Sequence, residues 1–180
     1  MNRPVKHMAI NVVVLAAVLG GLSTLQPDAP LDPILGICEE DLPVPTDYAA
    51  KCDRTPPVGF NVLLEKASKE FGVDPKVLAT TVYRESDCNP KAVGSSGEIG
   101  LGQIYPKVWM TTMKETGIAN AASDLYDPLT NLRATAYVLN VLGERANNTH
   151  DLFRRYNGSG PKARRYADAQ LAAYQTVWGK

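Results

Sequence analysis

Histidine is almost missing from this chain of 180 residues, which has two, His7 and His150. A Ser/His/Asp or Cys/His nucleophilic centre would have to rest on His150, and no nucleophile-elbow motif supports one. An H-E-x-x-H zinc site is impossible. Cysteine is also scarce. Cys38, Cys52 and Cys88 show no C-x-x-C spacing, which leaves a zinc centre of Cys52, Cys88 and His150 without support, so no metal and no cofactor is expected. Charge of one sign is lacking too: 19 Lys and Arg balance 19 Asp and Glu with no long like-charge run. The electrostatic footprint of nucleic-acid binding is therefore absent at the level of the whole chain. Neither G-x-x-x-x-G-K-[ST] nor G-x-G-x-x-G occurs, which argues against a nucleotide site. No stretch alternates apolar and polar residues for long, so strands should be few or absent and the fold mainly α.

What the chain does contain is strongly segmented. Arg3 and Lys6 precede an 18-residue apolar run, Met8 to Leu25, interrupted only by Asn11, Ser23 and Thr24. Residues 1–26 thus read as a targeting segment, a single-pass anchor in preference to a cleaved signal, with the remainder exported. Residues 27–58 hold seven of the thirteen prolines and an acidic patch at Glu39, Glu40 and Asp41, the texture of an extended spacer. In an exported protein two of the three cysteines should be oxidised together. Cys38 with Cys52 is the preferred pair because both flank the same irregular segment, while Cys52 with Cys88 would pin that segment to the domain.

Residues 59–180 read as one helical domain. Phe60, Leu63, Leu64, Ala67 and Phe71 fall at helical spacing, with Gly72 as the stop. Asp74 and Pro75 form a helix start, repeated at Asp127 and Pro128 before the longest run, "PLTNLRATAYVLNVLGERA", with Leu132, Ala136 and Leu139 on one stripe. Further helices are expected from Pro106 to about Glu115, from His150 to about Tyr156 after Thr149 as cap, and from Pro161 to about Trp178. Arg154, Arg155, Lys162, Arg164 and Arg165 make this end mildly basic, either a solvated helix face or a groove for an anionic polymer.

The chemistry concentrates in "YRESDCNPKAVGSSGEIGLGQI", residues 83–104. Glu85 shares a helix face with Leu78 and with Thr81 or Val82, so its carboxyl should be partly desolvated. It also sits in the last turn, where the helix dipole disfavours an anion. Both effects raise its pKa toward the range a general acid needs. The alternative is an exposed glutamate paired with Arg84. Gly94, Gly97, Gly100 and Gly102 permit a close backbone approach to a ligand, and the loop serines with Gln103 can hydrogen-bond sugar hydroxyl and acetamido groups. Glycosidases usually set two carboxylates across the scissile bond, yet spacing signals no second acid beside Glu85. Asp87 points elsewhere on the helix, and Glu98 is a weak candidate.

These pieces, in order, resemble the soluble-type lytic transglycosylases, a lysozyme-like family. "YRESDCNPKAV" is similar to that family's helix-ending E-S motif and "GEIGLGQI" to its G-L-M-Q-I. "DPLTNLRATAYVL" resembles its D-P-x-x-N-I segment, "RYNGSG" its A-Y-N-x-G turn, and "RRYADA" its downstream tyrosine segment. The resemblance runs from about Phe60 to Tyr174 and implies a lysozyme-like α domain that cleaves the bond between N-acetylmuramic acid and N-acetylglucosamine in peptidoglycan. Glu85 would act as acid and then base, and the substrate's own C6 hydroxyl would attack C1 to leave a 1,6-anhydro end. Ser86 would buttress the acid, Ser96 and Gln103 would hold the sugar, Tyr156 would hydrogen-bond the acid, Asn157 would shape its turn, and Tyr166 would line the groove. Gly102 stands where the family has methionine, which would remove an apolar wall beside the sugar, and Arg155 replaces a small residue. The partner the resemblance implies is peptidoglycan strands; the charge balance speaks against nucleic acid, and the anchor with its proline-rich spacer, by architecture alone, suggests a periplasmic enzyme opening the wall locally for an inner-membrane secretion, conjugation or phage machine. A hydrolytic muramidase or an inactive wall-binding module are the rival expectations.

Overall fold

The computed structural model describes residues 46–179. The expected anchor, the first part of the spacer and Cys38 lie outside those residues. No helix among the described residues is long and apolar enough to cross a membrane.

Six α-helices and one 3-10 turn make up the described chain: α1 (Phe60–Phe71), α2 (Pro75–Ser86), α3 (Pro106–Glu115), the 3-10 turn (Ala122–Tyr126), α4 (Pro128–Gly143), α5 (Thr149–Asn157) and α6 (Gly160–Trp178). Two isolated bridges, Val93 with Ile99 and Ile99 with Ile104, are the only β pairing among the described residues, so the fold is mainly helical as its patterning implies. The starts follow cap chemistry. Asp74 accepts from the Lys76 N–H at 2.8 Å with Pro75 behind it, and Asp127 accepts from the Thr130 N–H at 2.8 Å ahead of Pro128. For α5 the cap is Asn148, not Thr149: its carboxamide oxygen accepts from the Asp151 N–H at 2.9 Å, so Thr149 is already helical. Gly72 ends α1 in the left-handed conformation and returns its N–H to the Ser68 carbonyl.

α4 is the central element, because its side chains feed two apolar clusters. Leu132, Ala136 and Leu139 join Phe60, Leu64, Leu78, Val82, Leu101 and Phe153. Ala134 and Val138 join Ile99, Ile104, Met113 and Leu125. The helix therefore holds α1, α2, α5 and α6 on one side and α3 with the glycine-rich loop on the other, and a cleft opens between the two groups.

The proline-rich stretch does not stay extended throughout. From residue 46 it is seated on the helices, with Tyr48 buried and its ring 5.9 Å from that of Trp178. Cys52 pairs with Cys88, Cα to Cα 5.8 Å, and not with Cys38, which corrects the preferred pairing. The reason is local: Asp87 and Cys88 both take left-handed backbone after α2, which turns Cys88 back toward residues 46–53. The Asp53 N–H donates to Asp87 Oδ1 at 2.8 Å across the same junction.

Candidate active site

The cleft has a volume of about 370 Å³ and is lined by Glu85, Gly94, Ser95, Glu98, Gln103, Ile104, Tyr105, Trp109, Val138, Tyr156 and Asn157. Glu85 enters it from the last turn of α2. The preceding face of that helix is fully covered at Leu78, Thr81 and Val82, so the carboxyl leaves an apolar wall to reach the cleft. Burial raises the Glu85 pKa to about 7, against a lowering by the hydrogen bond from Tyr166, with smaller effects from the Glu98 charge (upward) and Arg84 (downward). Glu85 is therefore a carboxyl divided between its two protonation states near neutrality, able both to give and to take a proton.

The two tyrosines exchange the roles expected of them. Tyr166, on α6, donates its hydroxyl to Glu85 Oε1 and itself accepts from Gln170 Nε2 at 2.5 Å. Tyr156 lines the cleft but donates to the Gly102 carbonyl at 2.6 Å. Burial and the neighbouring Glu85 charge push both phenols upward, so both remain protonated donors. Helical spacing alone could not separate them, since either side chain can reach the end of α2 from its own helix.

The glycine-rich loop is held from below. Asn131 on α4, fully buried, donates to the carbonyls of Ile99 at 2.9 Å and Leu125 at 2.7 Å and accepts from the Gly102 N–H at 2.9 Å. Ser86 donates to the Leu101 carbonyl at 2.8 Å, so it ties the loop to α2 and touches Glu85 only through the chain. Gly102 is buried under α4, where a Cβ would lie 2.0 Å from Thr135 Oγ1. The expected loss of an apolar wall is thus not what this glycine brings about: Thr135 occupies the space a side chain at 102 would need.

Gln103 takes a left-handed φ of 51°, donates to the Gly100 carbonyl at 3.0 Å and lines the cleft. Asn157 also lines it, as the last residue of α5. Ser96 does not; it is exposed, and its N–H donates to Glu98 Oε2 at 3.0 Å, while its neighbour Ser95 faces the cleft. Glu98, only weakly indicated by the sequence, is the second carboxylate of the site, kept ionised by hydrogen bonds from its own N–H and from Ser96. Nothing in the sequence pattern marks Tyr105 and Trp109 as site residues. Tyr105 precedes and Trp109 lies within a proline-started helix whose pattern carries no sign of which neighbour it faces, and only the packing of α3 brings them in. Together they give the cleft an aromatic rim suited to the apolar faces of sugar rings.

Known proteins share this fold and part of this sequence. The sequence profile of the transglycosylase SLT domain matches residues 62–176. A transglycosylase of Enterobacteria phage PRD1 is 31% identical over 97 residues, 54% of this chain and 34% of that protein. A membrane-bound lytic murein transglycosylase C of Haemophilus influenzae is 32% identical over 83 residues, 44% of this chain and 23% of that protein. Among solved structures, the lytic transglycosylase Slt of Pseudomonas aeruginosa, an inactive mutant, superposes with a TM-score of 0.59 at 18% identity, covering 67% of this chain and 24% of its own. The 70 kDa soluble lytic transglycosylase of Escherichia coli superposes with a TM-score of 0.59 at 22% identity, covering 69% and 25%. This chain thus spans about a third or less of the length of each of these proteins. With the profile match covering most of the described helices, and a half-buried glutamate lining an aromatic-rimmed cleft, the chain belongs to the transglycosylase SLT domain family.

Proposed function

We propose that this protein is a peptidoglycan lytic transglycosylase and that Glu85 performs both proton transfers. The observation that carries this reading is a largely buried carboxyl with a pKa of about 7 opening into a cleft of sugar-binding character. In the first step protonated Glu85 gives its proton to the glycosidic oxygen between N-acetylmuramic acid and N-acetylglucosamine, and the C1–O bond breaks. In the second step ionised Glu85 takes the proton of the muramic acid C6 hydroxyl as that oxygen bonds to C1. One proton leaves and one returns, no water is consumed, and the product ends in a 1,6-anhydro ring. Tyr166, which donates to Glu85, stabilises the carboxylate between the steps. Gln103, Asn157 and Tyr156 lie where they can hold the sugars, with Tyr105 and Trp109 as platforms. Ser86 and Ser96 act at one remove, through the loop backbone and Glu98.

Glu98 supports a second reading. A carboxylate that stays ionised in the same cleft could orient a water on C1, which would make the enzyme a hydrolytic muramidase. Mass spectrometry of the sugars released from purified sacculi separates the two, because an anhydro end is lighter than a hydrolysed end by one water. Anhydro products are expected, and Glu85→Gln should abolish their release while sacculus binding persists. Release of fully hydrated ends would favour the muramidase, and no release by the parent would leave only a wall-binding module.

The apolar run and proline-rich spacer support an exported enzyme held at the inner membrane. The likeness to a phage transglycosylase and to membrane-bound murein transglycosylases is consistent with local wall opening for a secretion, conjugation or phage-entry machine.

A further inference from the structure

Gln170 is fully buried on α6, one turn beyond Tyr166, on the face that packs against the core through Ala163 and Ala167. A buried carboxamide is costly unless its polar atoms are hydrogen-bonded. The Gln170 Nε2 donates to Tyr166 Oη at 2.5 Å, while its Oε1 has no partner among the described residues. A methionine or leucine would fill the same space with no desolvation penalty, so packing alone does not account for an amide here.

The bond to Tyr166 does. A phenol has one proton to donate and its oxygen also accepts. When Glu85 is ionised it can only accept, so Tyr166 must direct its proton there, and the Tyr166 oxygen is left as an acceptor for an N–H from the other side. We infer that Gln170 is a positioning residue for the proposed proton transfers: its side-chain N–H holds the Tyr166 hydroxyl turned toward Glu85 Oε1 and leaves Glu85 Oε2 to carry the proton that moves. This rests on the transglycosylase reading for its catalytic meaning, but the polarity of the Gln170–Tyr166–Glu85 chain is a property of the folded protein itself.

Without the Gln170 N–H, the Tyr166 proton is free to turn away from Glu85, the carboxylate loses part of its donor, and its ionisation moves to higher pH. The ionisable groups facing Glu85 are Arg84 on its own helix, Glu98 on the loop, Tyr156 on α5 and Tyr166 on α6; of these only Tyr166 is hydrogen-bonded to Gln170.

The test uses the full-length chain with ¹³C-labelled glutamate and follows the Glu85 carboxyl by NMR as pH is varied, in the parent, Gln170→Met, Tyr166→Phe and the double variant. Gln170→Met should raise the Glu85 midpoint by roughly half a unit to one unit. It should also lower kcat on sacculi several-fold with KM little changed, and neither effect should add to that of Tyr166→Phe. A Glu85 midpoint unmoved by Gln170→Met, or moved equally with and without the Tyr166 hydroxyl, would overturn the inference. If Gln170→Met does not fold, the side-chain amide protons of Gln170 in the parent serve instead. One of them should track the Glu85 titration and lose that dependence in Tyr166→Phe; an amide indifferent to both would equally overturn it. Because the titrations need no substrate, they stand even if the parent releases no anhydro sugars, which would count against the transglycosylase reading alone.

Discussion

The charge state of Glu85 bears on both the proposed chemistry of the cleft and the stability of the protein around it. Its folded-state pKa of about 7 lies above the ordinary value of 4.5, so the folded form binds the proton more tightly than the unfolded chain does. The stability this adds is complete below about pH 4.5 and is lost as pH rises through 7, an effect of at most about 3 kcal/mol for a shift of this size. Glu85→Gln, which stays neutral and can still accept from Tyr166, should therefore raise Tm at pH 8 and leave it nearly unchanged at pH 4; equal shifts at both pH values would contradict a buried, proton-holding carboxyl. In the proposed mechanism the same ionisation sets the alkaline limb of kcat/KM. Glu98 pushes the Glu85 pKa upward through its charge, so Glu98→Gln should move that limb to lower pH by roughly half a unit, read from the pH profile of muropeptide release. Glu85 was legible in the sequence because a carboxylate on an apolar helix face near a C-terminus has few bland explanations. Glu98 was only weakly so, because loop residues carry no periodicity to say which way they face.

At the level of elements, α4 is where sequence departure and structure meet. The backbone of the glycine-rich loop rests on Asn131 and Thr135, and Gly102 is the point of closest approach. Restoring methionine at that position should cost about 1–3 kcal/mol by overpacking, seen as a lower denaturation midpoint. Pairing Gly102→Met with Thr135→Ala should recover a large part of the loss, because the two side chains compete for one space. An additive double variant would mean that the loop, and not Thr135, resists the side chain. Helix starts at Asp74 and Asp127 were readable from cap chemistry, which is local. Which face of α3 meets the cleft was not, since Trp109 and Met110 are both half-buried apolar residues one position apart.

For the molecule as a whole, the Cys52–Cys88 bond fastens residues 46–58 to the end of the helix that carries Glu85. Closing a loop across a separation of 36 residues stabilises the fold by about 4 kcal/mol in the chain-entropy account. Replacing both cysteines by serine should therefore lower Tm by roughly 10 °C, and the variant should lose activity at a lower temperature than the parent. An unchanged Tm would show that Tyr48 and its contacts hold the segment unaided. The spacing of three cysteines could not choose between pairings, because the choice depends on the reversal at Asp87 and Cys88, two left-handed residues of types that do not announce that conformation.

The sequence by itself determined the helical class, the helix starts at Asp74 and Asp127 and the placing of a carboxyl at residue 85 on an apolar helix face, since each depends on interactions within one or two turns of chain. Only the tertiary structure decided which tyrosine serves Glu85, why position 102 must be glycine, which cysteines join and that Glu98, Tyr105 and Trp109 share the cleft. Those are contacts between residues far apart in the chain, set by how α2, α3, α5 and α6 pack around α4, and no local pattern encodes the direction in which a packed helix finally faces.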